Sequence, residues 1–122
     1  MSCSYRELVV WQKARQLIFH VYLATKDFPK NEVYGLTAQL RRAAVSVASN
    51  IAEGQGRLTS GEFLHFLGQA RGSLLELDTQ LIIALDLNYL TLDYQKEIEV
   101  ELRRVLGLLN RLIDSLRQKR AS

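Results

Sequence analysis

The chain has 122 residues, 48% of them hydrophobic and 24% charged, with a formal net charge of +3, a size at which one domain buries a real core without staples. Its single cysteine, Cys3, has no partner for an intrachain disulfide, and the longest purely apolar stretch, 81–85, falls far short of the roughly 18 residues of a membrane span. These features exclude a disulfide framework and an integral membrane protein, and with no apolar signal core at the N-terminus they predict a soluble, cytoplasmic protein with no membrane partner. The charge is unevenly placed: residues 1–57 carry +4, residues 58–102 carry −6 and residues 103–122 carry +5.

Hydrophobic periodicity is helical from end to end, and its breaks fall where turn residues cluster. A first helix is predicted over about 6–27, with Leu8, Trp11, Ala14, Ile18, Val21 and Thr25 as its apolar stripe. It stops before Phe28-Pro29, because the residue preceding a proline disfavours helical geometry. A second helix is predicted over about 32–53, capped by Asn31, with Val33, Leu36, Leu40, Ala44, Val47 and Ile51 facing inward and Gly54 in a left-handed stop. The third, about 60–88, opens on Thr59-Ser60-Gly61-Glu62, a Thr-x-x-Glu capping box. Its stripe is Phe63, Leu67, Ala70, Leu74, Leu77, Leu81 and Ala84. The fourth, about 92–119, spaces Ile98, Leu102, Val105, Leu109, Leu112 and Leu116 as a heptad seam. Four helices with short connections and no strand-like alternation predict an all-α chain, one domain over 1–122, folded as an antiparallel up-down-up-down four-helix bundle.

The third helix holds more apolar residues than one seam hides. Leu64, Phe66, Leu75, Ile82, Ile83, Leu85 and Leu87 lie off its stripe, and such a surplus predicts self-association.

Candidate chemistry is sparse. Gly54-Gln55-Gly56-Arg57 resembles half of a phosphate-cradling loop, but it follows a helix and not a strand and lacks the closing Lys-Ser/Thr, so it is read as a helix stop and turn. His20 and His65 lie on different helices without metal-ligand spacing, so neither a metal nor another cofactor is predicted. Ser46 and Ser49 have no histidine at a helical neighbour position, which leaves a hydrolase triad without support. The expectation is a non-enzymatic protein with no small-molecule substrate.

The polar residues of the second helix do have an order. Gln39, Arg42, Ser46, Asn50 and Glu53 recur at helical spacing along one side, and Glu62, Gln69, Ser73, Glu76 and Gln80 form a matching stripe on the third helix. Antiparallel pairing places Ser46 near Gln69 and Arg42 near Ser73 or Glu76. Ala43, Ala44 and Ala48 against Gly68 and Gly72 would let the backbones approach closely, giving a half-buried network that fixes register. The alternative is a polar groove that holds a ligand or an RNA phosphate. Arg41 points away from the stripe, as a nucleic-acid contact would.

The segments LVVWQKARQL, TKDFPKNEVYGLTAQLRRAAVSVASNIAEGQGR and FLHFLGQARGSLLELDTQL carry a resemblance to the four-helix-bundle family encoded in bacterial 23S rRNA intervening sequences. That family is also similar to the accessory variability proteins of diversity-generating retroelements. The likeness spans roughly residues 5–116, and its most specific part is Tyr34 to Leu36, Gln39 to Ala43 and Ser49 to Gly54. It implies a ring-like homopentamer with a proposed role in nucleic-acid binding and no catalytic residues. Relatives often have a proline where this chain has Ala48, so a straight second helix is expected.

Two functional readings follow. One is an oligomer that binds RNA or DNA through Arg41, Arg57, Arg103, Arg104, Arg111, Arg117, Lys119 and Arg120, since phosphate contacts draw on clustered cations. Against it, the sequence shows no basic surface interleaved with aromatics. The other is a protein-interaction or assembly module, in which the basic tail of one subunit answers the acidic band of the next.

Overall fold

The computed structural model describes residues 4–121, the side chain of Ala121 excepted; Cys3 lies outside the described residues. The chain is all-α, with four long helices, α1 (Val9–Thr25), α2 (Leu36–Gln55), α3 (Ser60–Asp86) and α4 (Leu92–Ala121), and short 3-10 turns at Tyr5–Glu7 and Lys30–Glu32. Among the described residues there is no strand, in keeping with a four-helix bundle. All four helices contribute to one apolar core, which includes Leu17, Val21, Leu40, Ile51, Leu67, Leu74, Leu81, Ile98 and Leu109.

Residues that rise in number along α2 meet residues that fall along α3: Gln39 reaches Gln80, Ser46 reaches Ser73, and Gly54 packs against Phe63 and Phe66. The last pairing overturns the reading of Gly54 as a left-handed stop. No glycine among the described residues has positive φ, and α2 continues through Gly54 to Gln55. A Cβ on Gly54 would sit 2.7 Å from the Phe66 Cβ and 2.9 Å from the Phe63 Cδ1, so the residue is small because α3 crosses there. Gly68 and Gly72 are the converse. Both are exposed, a Cβ on either would meet nothing within 4 Å, and the close backbone approach expected of them is absent.

Helix ends differ from the sequence reading for identifiable reasons. α2 starts at Leu36 and not after Asn31. One of its free backbone N–H groups is served by Glu32, whose Oε1 accepts from Leu36 N at 3.2 Å, while Oε2 accepts from the Tyr89 hydroxyl at 2.9 Å. One carboxylate thus caps α2 and ties it to the turn after α3. At the start of α3 the Thr59 Oγ1 accepts from Glu62 N at 3.1 Å. The Glu62 carboxylate in turn meets the Thr59 hydroxyl at 3.2 Å, whereas the capping box predicted a backbone N–H for it. Among the described residues the left-handed one is Asn88, φ 62°, just after α3, where a short polar side chain tolerates that geometry. α2 runs unbroken past Ala48.

On α4, Ile98, Leu102, Val105 and Leu109 are buried, and the seam then passes to Ile113. The surplus on α3 divides: Leu64, Phe66 and Leu85 are half-buried, while Leu75, Ile82, Ile83 and Leu87 remain 42–48% exposed.

Candidate nucleic-acid interface and polar groove

A wide concavity lies on the outward side of α1. It encloses about 910 Å³ and is lined by Tyr5, Arg6, Trp11, Gln12, Arg15, Gln16, Phe19 and His20. Helical spacing builds it: Trp11, Arg15 and Phe19 succeed one another at four-residue intervals, so their side chains stack along one face. The 3-10 turn supplies the rest. It is held by Ser4 Oγ, which accepts from Arg6 N at 3.2 Å, and by Gln12 Nε2, which donates to Arg6 O at 2.9 Å.

Within the groove, Tyr5 and Trp11 meet edge to face at 5.2 Å between ring centroids. The Arg6 guanidinium lies 5.8 Å from the Tyr5 ring centre and that of Arg15 lies 5.8 Å from Trp11. Phe19 is 61% exposed and its ring meets the His20 imidazole at 5.7 Å. His20 Nδ1 is in turn 2.6 Å from Glu101 Oε2 on α4, which fixes the ring at the groove's edge. Here is a basic surface interleaved with aromatics, contrary to the sequence reading. Trp11 packs against the core, as its place on the apolar stripe predicts, but it is half-buried and also lines the groove. The signal available in sequence was the Trp-x3-Arg-x3-Phe spacing.

The arginine-rich candidates fare unequally. Arg41 is half-buried; its Nε donates to Thr25 Oγ1 at 2.9 Å and its guanidinium covers the Tyr22 ring at 4.6 Å. It clamps α1 to α2 and, with Lys26 and Lys30, lines a hollow of about 370 Å³. Arg57 lies over the Phe66 ring at 4.6 Å and 3.7 Å from Glu53. Arg103 pairs with Glu99 at 3.0 Å. Arg104, Arg111, Arg117 and Lys119 are exposed on α4, and the Arg120 guanidinium packs over Gly61.

The two polar stripes meet in a second, separate groove between α2 and α3. Ser46 and Ser73 share a hydrogen bond of 2.9 Å, and Asn50 Nδ2 donates to Ser46 O at 2.9 Å and to Ser46 Oγ at 3.0 Å. Around this knot lie two hollows of about 400 Å³ each, which share Ser46 and Glu76. Gln39, Arg42 and Gln80 line one end, Gln69 and Gly72 the other. Gln69 meets His65 Nε2 at 3.2 Å, and Glu53 lies apart with Arg57. Arg42 and Glu76, both exposed, face the same hollow without an ion pair between them among the described residues. Among those residues there is also no cluster of three or more His, Cys, Asp or Glu side chains placed to hold a metal, and no helix is long and apolar enough to cross a membrane.

The sequence profile of the 23S rRNA-intervening sequence proteins matches residues 6–111. The chain belongs to that family. The match takes in the α1 groove save Tyr5, both polar stripes and the first part of α4, so the described elements lie on family sequence apart from Tyr5 at the start of the first 3-10 turn and the last turns of α4. A 23S rRNA-intervening sequence protein fold also agrees with a solved structure, a protein of unknown function from the S23 ribosomal protein family of Bacteroides thetaiotaomicron. It shares 19% sequence identity over 86% of this chain and 98% of its own, with a TM-score of 0.77, a likeness of fold. No curated protein matches the chain.

Proposed function

We propose that this family member is a non-enzymatic, oligomeric protein that binds single-stranded nucleic acid, with RNA as the favoured form. The observation that carries the reading is the α1 groove, where two guanidinium groups and three aromatic rings share one concave surface. Unpaired bases expose π-faces that stack on such rings, and the neighbouring phosphates answer the cations. A base-paired duplex offers no free face to Trp11 or Phe19.

Assembly belongs to the same proposal. Antiparallel bundles joined in a ring, a homopentamer as the resemblance implies, would repeat the α1 groove around the ring. The exposed Leu75, Ile82, Ile83 and Leu87 of α3 supply an apolar contact for it. The second reading, an assembly module without nucleic acid, draws on that same α3 surface.

Light scattering gives the mass of the particle, and fluorescence anisotropy with a single-stranded oligoribonucleotide and a duplex DNA at rising salt separates the readings. The proposal expects an oligomer that prefers the single strand, with a salt slope of about −0.7 per neutralised phosphate. Arg6→Ala and Arg15→Ala each reduce that slope by about 0.7, and Phe19→Ala weakens binding roughly tenfold through lost stacking. An oligomer with no binding at low salt leaves the assembly module.

A further inference from the structure

The end of α1, the turn after it and the start of α2 enclose a hollow of about 370 Å³, lined by Lys26, Lys30 and Arg41 and by no carboxylate. Helical spacing and one hydrogen bond bring its polar groups together. Thr37 and Arg41 stand four residues apart on α2, which sets their Cβ atoms about 6 Å from each other on one face, close enough for both side chains to reach a single phosphate group. The bond from Arg41 Nε to Thr25 Oγ1, 2.9 Å, holds the guanidinium against the end of α1, where Lys26 follows Thr25 on the same wall.

Two of these groups lack what the fold gives their counterparts. Arg57 and Arg103 have carboxylate partners, whereas Arg41 is half-buried and has no ion pair among the described residues. Thr25, 2% exposed, uses its hydroxyl both to donate and to accept. Thr37 is 6% exposed and lines the hollow, yet its hydroxyl has no hydrogen-bond partner among the described residues. Unlike the Gln80 carbonyl oxygen, that hydroxyl is not sealed from solvent. A half-buried cation without a counter-charge and a buried hydroxyl without an acceptor are both answered by an anion. The neighbouring Glu32 is engaged elsewhere, with Leu36 N and the Tyr89 hydroxyl. Phe28, Pro29 and Val33 complete the wall with apolar surface.

We infer that this hollow is a binding site for a phosphate monoester. The phosphate accepts from Arg41, Thr37 and the two lysines, and its organic body lies against Val33 and Pro29. Three cations suit the dianion of a monoester better than the single charge of a diester, and the apolar wall suits an ester better than free phosphate. A mononucleotide and the 5′-phosphate end of an RNA share this chemistry. The site has no lining residue in common with the α1 groove and stands without it.

The test is isothermal titration calorimetry of the intact protein with uridine 5′-monophosphate, uridine and inorganic phosphate. The monophosphate binds saturably. Uridine, which offers no charged acceptor, binds at least roughly tenfold more weakly, and inorganic phosphate, which lacks the body, also binds more weakly than the nucleotide. Thr37→Val keeps the shape and removes the donor; it weakens the nucleotide about tenfold and leaves thermal unfolding unchanged, since the hydroxyl bonds to nothing in the fold. Lys30→Gln, at an exposed position, weakens it by up to about fivefold. Arg71→Gln removes the same charge from an exposed position on α3 and changes nothing. A 5′-phosphorylated oligoribonucleotide that displaces the nucleotide where its 5′-hydroxyl twin does not places the phosphate at an RNA end, and displacement by neither assigns the site to the free nucleotide. Equal displacement by both RNAs, equal binding of uridine or of inorganic phosphate, no binding of the nucleotide, or an affinity that Thr37→Val and Lys30→Gln leave intact would each overturn the proposal.

Discussion

A methyl group added at Gly54 meets the Phe66 Cβ at 2.7 Å, between two helices that have no room to separate. Gly54→Ala is expected to destabilise the fold by about 1–3 kcal/mol, as overpacking of a tight contact does. Gly68→Ala and Gly72→Ala are expected to move the other way by up to about 1 kcal/mol each, because the added methyl is unobstructed and helix propensity rises. Urea denaturation of the three variants checks the contrast. The sequence treats these glycines alike, since small residues at helical spacing look the same whether they admit a neighbouring helix or face water. Tyr89 provides a different signature. Its hydroxyl donates to Glu32, and that hydrogen bond, then burial and then the carboxylate's charge raise its pKa above the ordinary 10.0. Because the folded value is the higher one, the contact's stabilisation is complete below the unfolded pKa and is lost as pH climbs through the folded one. Ultraviolet titration is expected to show one late tyrosine above pH 10.0, absent in Tyr89→Phe.

Between elements, two polar side chains do work that hydrophobic patterning does not reveal. Thr25 is 2% exposed; its hydroxyl donates to Val21 O at 2.9 Å and accepts from Arg41 Nε, joining α1 to α2. Arg41→Ala is expected to cost about 2 kcal/mol, a charged hydrogen bond together with the cover of the Tyr22 ring. Arg41→Lys does not restore it, since an ammonium cannot keep both contacts. A thermodynamic cycle with Thr25→Val, read by thermal unfolding, gives a coupling of about 1 kcal/mol. Neither partner was legible as a pair: they stand 16 positions apart across a turn, and Arg41 sits beside Arg42, which is exposed. The α2–α3 stripes were legible because each is local to one helix and their joining loop is short. Only the Ser46–Ser73 and Asn50–Ser46 bonds needed coordinates. Glu32, by contrast, caps α2 from four residues away and accepts from the far side of the fold, a cap that the sequence reading, with Asn31 as cap and a start near residue 32, does not anticipate.

At the scale of the molecule, four amphipathic periodicities separated by turn residues suffice to predict an all-α fold, since each stripe must be buried against the others. The charge blocks were equally legible, yet they pointed to α4 and Arg41 and not to the α1 groove. The reason is physical. Trp11 has the spacing of a core residue and the bulk to reach outward as well, so periodicity alone assigns it to the interior, and with it the aromatic half of the groove disappears from view. Because Trp11 is the one tryptophan of the chain and lines that groove, its emission reports on the site directly. Titration of the protein with a single-stranded oligoribonucleotide at low salt is the most direct test of the central claim. Stacking of bases in the α1 groove predicts saturable quenching of Trp11 emission that salt reverses and that Arg15→Ala weakens. Emission that stays constant while the RNA concentration rises contradicts it.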